Sequence, residues 1–135
     1  PNLVLDSNVS LGTELVTDGS FANGFASWTT SNVTLSSKGA VIYDNAGDMI
    51  SQGITYEANK IYAFTIEGTG DIILRTAVAS VGAVPQTATL PATIYRSTVG
   101  SGETKVRIFG ASSGSPATVS SVSVKVVNGN HGTLS

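Results

Sequence analysis

The chain has 135 residues, of which only 12% are charged, and its formal net charge is −2. The seven cations (Lys38, Lys60, Arg75, Arg96, Lys105, Arg107, Lys125) are scattered along the sequence, so it lacks the basic field that draws a phosphate backbone, which argues against nucleic-acid binding. There is no cysteine, which excludes disulfide staples and thiolate metal sites, and no apolar run nears the ~20 residues of a membrane-spanning helix.

The length suits one domain. Low charge with 41% hydrophobic residues is not the signature of a disordered chain; surfaces rich in Ser and Thr point instead to an all-β protein. Pro1 is compatible with a mature terminus from which an initiator Met has been removed. Residues 1–12, PNLVLDSNVSLG, read as an extended arm. Its Leu3, Leu5 and Val9 follow no helical period and are candidates to dock, either on the chain's own domain or on a partner. Residues 13–127 read as the folded domain and 128–135 as a tail.

Strands are expected near 13–17, 32–36, 39–44, 48–55, 60–67, 71–77, 86–90, 92–98, 103–109 and 117–127. In KIYAFTIE, Tyr62, Phe64 and Ile66 share one face. In TKVRIF, Val106 and Ile108 point one way and Lys105 and Arg107 the other; in SVSVKV, Val122, Val124 and Val126 alternate with Ser121, Ser123 and Lys125. A period of two with one polar face marks half-buried antiparallel strands. The breaks between runs, at Asp44–Gly47, Gly68–Gly70, Gly100–Gly102 and Ser113–Pro116, suit tight turns. Pro85 and Pro91 bracket QTATL, which marks an edge strand. No stretch carries a 3.6-residue apolar repeat, and this many short strands predict an antiparallel β-sandwich of jelly-roll topology.

Three pieces of the chain resemble a known family. GTELVTDGSFANGFASW resembles the opening motif of carbohydrate-binding-module-like (galactose-binding-like) jelly rolls, a strand followed by a Gly-rich turn and a Trp. ISQGITYEANKIYAFTIEGTGDIILR resembles the family's central strand pair through Gln52, Ile54, Tyr62 and Phe64, and ATVSSVSVKVV resembles its closing strand. The variant it looks most like is frequent in structural proteins of tailed bacteriophages. That resemblance implies a virion structural protein, a capsid decoration (cement) protein whose partner is the major capsid protein or another virion protein, assembled as a homo-oligomer such as a trimer. The alternative it implies is a carbohydrate-binding module, on a phage adhesin or an extracellular enzyme, that recognises a cell-surface glycan.

The resemblance also sets expectations for sites. Sugar-binding relatives commonly hold a structural calcium through acids of the opening loop and closing strand. Those acids fall here at Ser20, Ala22 and Ser120, which leaves only Glu14 and Asp18, so a loop closed by hydrogen bonds is the expectation and no cofactor is expected. Phe21, Trp28, Tyr62 and Phe64 stand where the motif puts core residues, with Phe21 and Trp28 plugging one end of the sandwich. Tyr43, Tyr56 and Tyr95 remain as sugar platforms, and Tyr95 with Arg96 and Gln86 forms the candidate glycan site. Residues 76–95 carry no charge, and Val81, Val84 and Pro85 within them, with the arm, are the candidate partner surface. No enzyme activity is expected: the only histidine, His131, lies in a Gly/Asn-rich tail, and Asp44 and Asp48 read as a solvated turn.

Overall fold

The computed structural model describes residues 10–37, 41–43, 47–57, 60–77, 86–97, 103–111 and 116–128. These form eleven strands: β1 (Ser10–Glu14), β2 (Thr29–Ser31), β3 (Thr34–Leu35), β4 (Val41–Tyr43), β5 (Met49–Gly53), β6 (Ile61–Thr69), β7 (Asp71–Ala77), β8 (Gln86–Thr89), β9 (Ala92–Ser97), β10 (Glu103–Gly110) and β11 (Ala117–Asn128). They make two antiparallel sheets. A five-stranded sheet runs β2-β5-β10-β7-β8, and a six-stranded sheet runs β3-β4-β11-β6-β9 with β1 added to the far half of β11. This is the all-β sandwich that the alternation predicts.

The core follows from the period of two. In β6, Tyr62, Phe64 and Ile66 are buried while Glu67 and Thr69 are exposed. Register carries that stripe across the sheet: Val124 pairs with Phe64 and Phe64 with Ile94, and Val122 pairs with Ile66. The other sheet contributes Ile50, Ile72, Leu74, Val106 and Ile108 to the same cluster. Each large side chain so buried stabilises the fold by about 1.5–3 kcal/mol. The edge position of β8 agrees with the prolines that flank it in sequence.

Four local expectations need correction. β1 occupies Ser10–Glu14 rather than 13–17, so Ser10, Leu11 and Gly12 of the supposed arm belong to a sheet, where Leu11 pairs with Val127. β2 is an extra strand before the one expected at 32–36, with Thr29, Thr30 and Ser31 pairing Ser51, Ile50 and Met49; TTS has no apolar residue to announce it. Gly68 lies inside β6 with φ of 148° instead of in a turn, paired with Val119 of β11, and a Cβ at this position would strike the Thr118 carbonyl. Asp48 is buried, not solvated: its carbonyl accepts the Gly110 amide (2.8 Å) and the neighbouring Gly47 amide donates to the Gly110 carbonyl (3.3 Å), which draws the chain into the sheet.

Candidate functional site

The outer face of the five-stranded sheet is built by side chains that break the core's phase. Val106, Ile108, Ile72 and Leu74 point inward and are fully buried, so Lys105, Arg107 and Phe109 of β10, and Asp71, Ile73 and Arg75 of β7, point outward. Register aligns them in two rows. One row reads Thr29, Ser51, Arg107, Arg75, and the next reads Ser31, Met49, Phe109, Ile73, Thr87.

Phe109 therefore sits mid-face, flanked by Met49 and Ile73. The Arg75 guanidinium carbon stands 5.4 Å from its ring centroid and that of Arg107 stands 5.6 Å away, within cation–π range. These central side chains are half-buried, whereas Thr29, Ser31, Thr87 and Thr89 at the margins are exposed. Three of the seven cations (Arg75, Lys105, Arg107) thus share one face, although the sequence scatters them. The face offers an aromatic ring, fixed fork donors and hydroxyls, which together suit a ligand with apolar C–H faces and many polar oxygens.

The sequence-predicted site residues are not brought together. Tyr95 is 59% exposed on the outer face of the six-stranded sheet, beside Ala63. Arg96 follows it in the strand and so faces the opposite way, in register with buried Tyr62. Gln86 lies on β8 of the other sheet, and its side chain is outside the described residues. Leu3, Leu5, Val9, Val81, Val84, Pro85, Asp44 and His131 also fall outside the described residues.

Two expected platforms are structural. Tyr43 is 1% exposed. Tyr56 packs edge-on against Tyr62 (centroids 4.9 Å apart) and its hydroxyl donates to the Lys105 carbonyl (2.9 Å). Phe21 and Trp28 are buried as expected, with ring centroids 5.3 Å apart.

The opening loop resolves the calcium question through its donor set. Both carboxylate oxygens of Asp18 accept backbone amides, from Ala22 and Asn23 (3.0 Å each). Glu14 Oε1 accepts the Ser123 hydroxyl (2.6 Å) and Oε2 accepts the Val124 amide (2.7 Å). The two acids face N–H and O–H donors of their own loop and strand, so this arrangement does not fit a calcium ion. Gln52, noted for its place in the motif, clamps the loop: its Oε1 accepts the Thr17 amide (2.7 Å), and its Nε2 donates to the carbonyls of Thr17 (2.9 Å) and Ser27 (3.1 Å). Among the described residues no group of three or more His, Asp or Glu stands together to hold a metal.

Phe109 is the residue that reading along the chain leaves without a role. The signal was present: in TKVRIF it falls in phase with Lys105 and Arg107, and an aromatic in the polar phase of a strand marks an outward platform. The Arg75–Arg107 juxtaposition has no such local signal, because it depends on which strands pair.

No family profile matches the sequence, and no curated protein matches it. Solved structures do. Family 16 Carbohydrate Binding Module-2 superposes with a TM-score of 0.54 at 11% identity, over 82% of this chain and 98% of that one. The CBM36-1 domain of a multidomain xylanase, from the hindgut metagenome of Trinervitermes trinervoides, superposes with a TM-score of 0.52 at 14% identity, over 91% and 99%. The K3 cleaved adhesin domain of Lys-gingipain from Porphyromonas gingivalis gives 0.51 at 11% identity, over 84% and 99%. The molecule has the jelly-roll β-sandwich fold shared by carbohydrate-binding modules, as the motif resemblance implies. The expectations of a capsid decoration protein, a virion location, a capsid partner and a trimer find no support in these structures.

Proposed function

We propose that the chain is a non-catalytic carbohydrate-binding module that holds a glycan against the outer face of the five-stranded sheet. The observation that carries this reading is Phe109, an outward aromatic on a central strand, set between Met49 and Ile73 with two guanidinium groups within 5.6 Å. A sugar ring has an apolar C–H face that packs on an aromatic and hydroxyls that accept from Arg. Water competes for every such hydroxyl, so stacking supplies much of the net affinity and the arginines supply orientation. The fold shared with carbohydrate-binding modules supports the reading without specifying the ligand. An extracellular location goes with it.

The test is binding of soluble glycans by calorimetry and affinity electrophoresis. Phe109→Ala is expected to weaken binding at least tenfold, about 1.4 kcal/mol, while Tyr95→Ala leaves it unchanged. The opposite result would move the site to the six-stranded sheet and refute the assignment of this face.

A further inference from the structure

We infer that Leu3, Val4 and Leu5 of this same chain fold back to cover an apolar patch on the outer face of the six-stranded sheet, the face opposite the proposed glycan site. Among the described residues four large apolar side chains are exposed, Leu11, Leu35, Ile61 and Tyr95, and three of them share this face. Leu11 pairs with Val127, and the register that sets Val126 against Tyr62 sets Val127 against Ile61 one step on. Ala63, two residues along β6 from Ile61, pairs with Tyr95. Phase places them on one side: Tyr62, Phe64 and Val124 point into the core, so Ile61, Ala63, Tyr95 and Val127 point out. Ala63 and Val127 are buried yet stand outside the core cluster, and Leu11, Ile61 and Tyr95 are exposed around them.

The sequence supplies a cover of matching chemistry at the margin of this patch. β1 begins at Ser10, and the residues ahead of it read Leu3-Val4-Leu5, then Asp6-Ser7-Asn8, then Val9. Asp, Ser and Asn favour chain reversal, because their side chains bond to nearby backbone and Asn tolerates left-handed φ. Asp6 is the one charged side chain of residues 1–9 and falls in that reversal, so Leu3–Leu5 brings no charge onto the patch.

Reach is sufficient. From β1 across β11 and β6 to β9 is three strand spacings, about 14 Å. Leu3 is eight residues from Leu11, about 26 Å of extended chain, which leaves slack for the turn. Tethering selects this occupant over a second copy. A segment joined to the patch by its own backbone acts at an effective concentration in the millimolar range. A second copy at micromolar concentration pays the translational and rotational cost of association in full. The arm then serves its own domain instead of clasping a partner, and the outer face of the six-stranded sheet is closed.

Because the chain has no cysteine, introduced pairs report the contact directly. The full chain carrying Leu5→Cys and Ile61→Cys is oxidised mildly at micromolar concentration. Its control carries Leu5→Cys and Thr29→Cys, the second position being exposed on the other sheet. A disulfide within one chain is expected at least tenfold faster in the first pair than in the control. Equal rates overturn the inference, and so does a disulfide that joins two chains, which assigns the patch to a second copy.

A second measurement needs no new bond. Leu3→Ser together with Leu5→Ser, checked for folding by Trp28 fluorescence and thermal melting, should raise the fluorescence of a dye that binds exposed apolar surface at least twofold. Unchanged dye binding in the folded variant also overturns the inference. Neither readout involves a glycan, so the result is independent of the carbohydrate-binding reading.

Discussion

Asp18 is the residue on which closure of the opening loop turns, and its replacement by Ala has a calculable cost. The residue sits at φ of 55°, and its two carboxylate oxygens accept the Ala22 and Asn23 amides at 3.0 Å. Its carbonyl accepts the Phe21 amide (3.1 Å) and Trp28 Nε1 (3.1 Å), so backbone and side chain together bind four donors. Ala keeps the carbonyl bonds and loses both carboxylate bonds. As these are solvent-accessible, each is worth the low end of the capping range, about 0.5–1 kcal/mol. Ala in left-handed backbone adds about 1 kcal/mol of strain that Asp, whose side chain tolerates that region, largely escapes. The sum is about 2–3 kcal/mol. For a chain of this length, an unfolding entropy of ~2.1 cal/mol/K per residue converts 2 kcal/mol into a melting shift of about 7 °C.

Asp18→Asn tolerates the same backbone and keeps one acceptor, so it should lose one bond's worth, about 0.5–1 kcal/mol, a quarter to a third of the loss for Ala. Urea unfolding followed by Trp28, the only tryptophan, reads both changes with the slope against urea unchanged. A loss below about 0.5 kcal/mol for Ala, or equal losses for Ala and Asn, would refute the account of a loop closed by carboxylate-to-amide bonds.

Tyr43 is 1% exposed and its hydroxyl has no hydrogen-bond partner among the described residues, so Tyr43→Phe should raise stability by about 1 kcal/mol in urea unfolding. The same residue makes a pH prediction. Burial first, and then the Asp48 carboxylate, hold its phenol well above the usual value of 10.0. Below pH 10 both folded and unfolded states are protonated and the group contributes no slope; above it the unfolded state alone ionises, so stability falls by up to about 1.4 kcal/mol per pH unit until the folded phenol titrates. Tyr43→Phe should remove that alkaline slope, and an unchanged slope in the variant would assign it elsewhere. Two glycines separate conformational strain from collision. At Gly68 (φ 148°) a Cβ would strike the Thr118 carbonyl of β11, whereas at Gly47 (φ 92°) it would meet nothing within 4 Å. Gly68→Ala should therefore destabilise by more than about 2 kcal/mol and Gly47→Ala by about 1 kcal/mol, read from urea midpoints.

Several corrections share one origin, which is that a side chain's surroundings are not written next to it. Asp48 reads as a solvated turn acid because Gly and Asn surround it, yet pairing with Gly110 carries it inside. Tyr95 and Arg96 read as a joint site because they are adjacent, but adjacency in a strand places them on opposite faces. Glu14 and Asp18 are the contrasting case: the sequence leaves them as acids of a loop closed by hydrogen bonds, and their oxygens accept amides and a hydroxyl.

The alternation of apolar and polar residues was enough to give the strand content, the buried stripe Tyr62–Phe64–Ile66 and the two-layer architecture. That pattern is local: with a period of two, burial of one face settles which side chains point inward, whichever strand lies alongside. The glycan face is a different kind of object. Phe109 was visible as an aromatic out of phase with the core, but Arg75 beside Arg107 exists only through the pairing of β7 with β10, in a register shifted by an irregularity between Glu103 and Arg107. Strand order and register depend on contacts between segments remote in the chain, so the neighbours of an outward side chain, and with them the chemistry of the face, were settled by the folded sheet alone.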